Sequence, residues 1–144
     1  MHRSVLPVLA LILGSIPRDV LTEVSSKLDQ YCSDITQQRR NSGISSYGLA
    51  WRRRGNAIIL TETVATASGK LLRYDSGRLE YEGGLWRLFH LDVTQRWRRY
   101  LIAPATEDFA LAFSHWQKNE TGIFSRADLR TSTKATQRLV NQYS

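Results

Sequence analysis

Residues 84–104, "GLWRLFHLDVTQRWRRYLIAP", decide how this chain folds. Taken two at a time, Leu85, Arg87, Phe89 and Leu91 fall on one side, and Trp86, Leu88, His90 and Asp92 on the other. That is the period of a β-strand. "DVTQ" reads as a turn, because an aspartate there can hydrogen-bond its own backbone two residues on. Beyond it, "RWRRYLIA" predicts an antiparallel partner, with Trp97, Arg99 and Leu101 facing one way and Arg96, Arg98 and Tyr100 the other. Pro104 ends it. Neither strand has a wholly polar side, so one face must pack helices while the other carries aromatics and arginines. Tryptophan is mostly buried, so Trp86 and Trp97 read first as core or near-core aromatics. Arg96, Arg98 and Arg99 cannot all be core, and at least two of them face solvent.

Working outward, "RLEYE", Gly83-Gly84 and the strand from Leu85 form a hairpin signal. "ATASGKLLRYDSG" (65–77) has two turn signals around "KLLRY", which fits a short strand or part of a loop. "AIILTETV" suits a strand by its β-branched content. "YGLAWRRR" alternates and meets it through Gly55-Asn56. Before the strands, Val20, Leu21, Val24, Leu28, Tyr31, Cys32 and Ile35 recur at three- and four-residue spacing, which predicts a helix over about 18–38 with Asp19 as cap. After them, "ATEDFALAFSHWQKN" predicts a second helix, capped by Thr106 and closed by Gly122, with Phe109, Ala112, Phe113 and Trp116 as its apolar stripe. The expected fold class is α+β: an antiparallel meander of four to five strands packed by an N-terminal and a C-terminal helix.

The chain has 144 residues, 42% of them hydrophobic and 23% charged, which fits one globular domain with a real core. Three segments follow: an apolar N-terminal extension (1–17), the α+β domain (18–124) and a basic C-terminal tail (125–144). "MHRSVLPVLALILGSIP" is shorter than the ~20 apolar residues that span a bilayer. It reads as a signal peptide, a segment packed on the domain or a start placed too far upstream. No membrane span and a cytoplasmic location are expected. In the tail, Arg126, Arg130, Lys134 and Arg138 recur every four residues, a basic stripe if helical.

The net charge is +7, and 16 of the 20 basic residues are arginine. Guanidinium binds phosphate through two parallel bonds and stacks on rings, which lysine does poorly. The candidate nucleic-acid-binding residues are Arg52, Arg53, Arg54, Arg87, Arg96, Trp97, Arg98, Arg99 and Tyr100, the arginines for phosphate and an exposed Trp97 or Tyr100 for bases. RNA or single-stranded DNA is the expected partner, bound without strong sequence preference. An adaptor surface for an acidic protein is the alternative, since Trp, Tyr and Arg also dominate protein interfaces.

Acid–base chemistry has a thinner basis. His90 and Asp92 share a strand face, and Glu62 could approach across the sheet, but Asp92 has a backbone reason to be where it is. No catalytic residue is assigned. Cys32 sits on an apolar helix face, where an inert thiol is expected. The histidines and the one cysteine show no metal-ligand spacing, and no cofactor is expected.

The segment 83–124 resembles a bacterial domain-of-unknown-function family, number 3024, through Trp86, Leu88, Asp92, Trp97, Tyr100, Pro104, Gly122, Ile123 and Phe124. Leu28, Tyr31, Cys32 and Glu62 extend the resemblance to roughly 20–124. Arg98 departs from the family pattern, in which histidine follows the tryptophan. The resemblance implies the fold and brings no chemistry with it.

Overall fold

The computed structural model describes residues 15–44 and 46–125. Most of the N-terminal extension, and the tail beyond Ser125, lie outside the described residues. Ile16 is buried in the core.

Helix α1 (Arg18–Asn41) follows Pro17, whose φ of −54° presets the first turn. Asp19 makes no side-chain cap; it lies in the first turn, where its charge suits the helix dipole. Val24, Leu28 and Cys32 form the buried stripe. Burial, and then the charge of Asp29, push the Cys32 thiol up to about 11. It therefore stays protonated and inert.

Five strands follow: β1 (Gly48–Arg54), β2 (Ala57–Ala65), β3 (Leu71–Glu82), β4 (Leu85–Leu91) and β5 (Trp97–Arg99). They pair in chain order, all antiparallel, as a meander. Helix α2 (Phe109–Lys118) completes the α+β domain. Leu49, Ile58, Leu60, Leu79, Trp86 and Leu88 share one core with residues of both helices. Both helices therefore cover the same sheet face.

Three elements differ from expectation. The uncertain stretch 65–77 belongs mostly to β3, one strand of 12 residues. The pairing slips between Leu60↔Gly77 and Thr61↔Asp75, so Ser76 is the extra residue of a β-bulge. "DSG" bends the strand rather than ending it. The expected strand 96–103 shortens to three residues. After Tyr100, whose N–H still donates to the Leu88 carbonyl at 2.8 Å, the chain leaves β4, exposing Leu101 and Ile102, and rejoins it where Trp86 and Thr106 exchange backbone hydrogen bonds of 2.7 and 3.1 Å. The Thr106 hydroxyl accepts the Asp108 N–H at 3.1 Å, and Asp108 caps α2 by accepting from the Ala110 N–H at 3.0 Å. The helix closes at Asn119, whose φ of 44° is left-handed, and not at Gly122.

Gly77 places α2 on the sheet. A Cβ there would lie 2.6 Å from Trp116 Cδ1 and 2.9 Å from its Nε1, so the indole rests on bare backbone. Gly77→Ala is expected to cost about 1–3 kcal/mol through overpacking, read as a lower midpoint in urea denaturation. An unchanged midpoint would mean that Trp116 is not held against β3.

Candidate nucleic-acid interface

The face opposite the helices is built by alternation and register. Arg52, Ile59, Arg78, Phe89 and Arg99 are successive partners across all five strands. With neighbouring strands ~4.8 Å apart, the three arginines recur at roughly 10 Å. A second row runs Arg54, Ala57, Glu80, Arg87. Trp97 pairs with Leu91 beside Arg99, and Arg73 pairs with Thr63 towards the other end.

The nine candidates do not form one cluster. Arg52, Arg54, Arg87, Trp97 and Arg99 share this second face. Arg53 pairs with Ile58 and Arg98 with His90, which puts both on the helix-side face, at exposed margins. Arg96 is exposed in the β4–β5 turn. Tyr100 is a correction. It is 4% exposed, with its ring 4.9 Å from that of Phe124, and it cannot stack on a ligand. Arg73, Arg78 and Phe89 belong to the face and were not among the candidates. The period-two pattern already groups Phe89 with Arg87, the hairpin register brings Arg78 opposite Phe89, and Arg73 joins them only through the bulge.

Some of the arginines are already engaged. Arg52 donates through both Nη atoms to Asp75, at 2.9 and 3.0 Å, and Nη1 also reaches Thr61 Oγ1 at 2.9 Å. This forked bond holds the Asp75 carboxyl below its ordinary range. Arg78 Nε donates to Glu80 at 3.2 Å. Among the described residues these are the ion pairs of the face. Arg87 donates to the Glu82 carbonyl at 3.1 Å, and Arg99 Nη2 lies 3.5 Å from the Ala103 carbonyl. Both keep further N–H groups. Ala57 and Ile59 are buried, and Arg78, paired with Glu80, stands between Ile59 and Phe89 on the central strand.

Asp92 shapes the β5 end. Oδ1 accepts from Thr94 N–H (2.8 Å), Thr94 Oγ1 (2.6 Å) and Arg96 N–H (3.0 Å), while Oδ2 accepts from Arg98 Nε at 2.8 Å. The turn therefore fixes Arg96 and Arg98 relative to β5. These donors, the Thr94 hydroxyl first and then Arg98, hold the Asp92 carboxyl far below the usual carboxylate range. A pKa lowered by folding gives stability that is full above the unfolded value near 3.9 and is lost as pH falls through the folded one. Asp92→Asn is expected to weaken the loss of stability below about pH 4, measured as urea midpoints across an acid pH series. An identical acid limb would remove Asp92 from this role.

The acid–base residues stay apart. His90 Nδ1 lies 3.4 Å from the Leu91 carbonyl, Asp92 is occupied by its turn, and Glu62 bonds Tyr47. Among the described residues no group of three or more His, Cys, Asp or Glu is placed to hold a metal, and no helix is long and apolar enough to cross a membrane.

The family model described as Domain of unknown function (DUF3024) matches residues 17–126, and the chain belongs to that family. No curated protein and no solved structure matches the chain.

Proposed function

We propose that this member of a family of unknown function binds single-stranded nucleic acid, RNA or DNA, on the sheet face opposite its helices. The observation that carries this reading is the cross-strand array. Arg52, Arg54, Arg87 and Arg99 lie around a centre of Arg78, buried Ile59 and half-buried Phe89, and Trp97 is half-buried beside Leu91 at the edge. Guanidinium groups would neutralise phosphates, while Trp97 and Phe89 offer ring surface to bases, each stacked base contributing ~1–3 kcal/mol. Such contacts tolerate any sequence, because every base has a π-face.

Binding of labelled oligonucleotides across a salt series tests this. Arg54→Ala/Arg87→Ala, neither residue being ion-paired among the described residues, is expected to weaken binding about tenfold and to reduce the slope of log K against log salt by about 1.4. Wild-type affinity and slope in this variant, or no binding by wild type at low salt, would overturn the reading.

A protein partner is the second reading, favoured by a different observation. Val93, Leu101 and Ile102 are 77%, 84% and 55% exposed around β5. An interface built on them would persist at high salt, unlike phosphate contacts.

A further inference from the structure

A cavity of about 360 Å³ opens between the C-terminal half of α1, β2, β3 and the end of α2. It lies on the helix side of the sheet, away from the arginine face. Its volume falls within the ~300–1,000 Å³ of small-molecule sites. Tyr31, Tyr47, Tyr74 and Trp116 contribute aromatic wall, and Glu62 and Arg39 contribute the charge.

Glu62 is the unusual member. It stands on β2, between Leu49 of β1 and Tyr74 of β3, on the face that otherwise packs the core. Its Oε2 accepts the Tyr47 hydroxyl at 3.0 Å, and it has no ion pair among the described residues. The nearby cation does not pair with it. Arg39 Cζ lies 4.4 Å from the centroid of the Tyr47 ring instead. Burial and then the Glu62 carboxylate push the Tyr47 pKa far above the ordinary tyrosine value, so the hydroxyl stays a neutral donor to Glu62. Glu62 thus has a neutral hydroxyl donor but no cation in direct contact, and Arg39 stands elsewhere on the same aromatic wall. A half-buried carboxylate gains most from a cation that also bonds it, and ring faces attract the same cation through their quadrupoles.

We propose that this cavity is a binding site for a small molecule bearing one primary ammonium group. The ammonium sits on Glu62 among the rings, and the rest of the ligand fills the cavity. Arg39, on the same wall, opposes a second positive charge, so the site takes a monoamine in preference to a polyamine. Nothing in this site depends on the arginine face.

Isothermal titration calorimetry on the full chain tests the proposal with three probes: 2-phenylethylamine, its uncharged counterpart 2-phenylethanol, and spermidine. The amine is expected to bind at least about tenfold more tightly than the alcohol and than spermidine. Glu62→Gln retains an acceptor for the Tyr47 hydroxyl, and in this variant the amine should fall to the affinity of the alcohol. Arg54→Ala/Arg87→Ala should bind the amine as wild type does. Equal binding of amine and alcohol, absence of amine binding, or undiminished binding by folded Glu62→Gln would overturn it. Should Glu62→Gln fail to fold, the comparison of probes on wild type decides alone.

Discussion

An aromatic seam along α2 holds the domain together, and the position of every other element follows from it. Trp86 meets Phe109 edge-on at 5.0 Å, Phe109 stacks on Phe113 at 5.6 Å, and Phe113 stacks on Trp116 at 5.5 Å. Tyr31 of α1 closes against Phe113 at 5.1 Å. One line of rings therefore ties both helices to β4 and, where Trp116 lies on Gly77, to β3. Each such ring pair adds roughly 0.5–1.5 kcal/mol beyond the burial of its area. Because the seam needs bare backbone at Gly77, it also fixes which face of the sheet the helices occupy.

That choice sorts the rest of the chain. Once Trp86, Leu88 and Tyr100 turn towards the helices, the opposite parity places Arg87, Phe89, Trp97 and Arg99 on the second face. Arginine suits such a position, since its stem covers apolar surface while its head remains hydrated or pairs with carboxylate. Arg52 and Arg78 do pair, with Asp75 and Glu80. The margin residues Arg54, Arg73 and Arg87 have no ion pair among the described residues. The charge open to a ligand thus lies at the margins of the face.

Where local period and tertiary packing agree, the sequence is easy to read. Residues 85–91 alternate cleanly, and their two sides are the two faces of the sheet. The same alternation separates Trp97 from Tyr100, so only one of those rings could join the arginines. Reading stops where a local signal has two outcomes. "DSG" at 75–77 serves equally as a turn or a bulge, and only pairing with Leu60 and Thr61 selects the bulge. Thr106 and Asp108 are both competent caps, and because the helix begins at Phe109 the cap is Asp108, while the Thr106 hydroxyl accepts the Asp108 N–H. Glu62 has no local signal at all. Its setting depends on Tyr47, which reaches it from outside the strand, and on an Arg39 that prefers a ring to a carboxylate.

The four tryptophans provide an internal test of the division between the two faces. Trp51 donates to Asp29 of α1 at 2.7 Å, Trp86 is buried beneath the helices, and Trp116 is buried between α2 and the sheet. Trp97 alone of the four stands on the arginine face. The most direct measurement is the shift of the four indole N–H signals in a nitrogen–proton correlation spectrum as oligothymidylate is added at low salt. The account predicts that the Trp97 signal moves, that the other three hold their positions, and that added salt reverses the change. A stationary Trp97 signal, or movement led by Trp116 or Trp51, would contradict it.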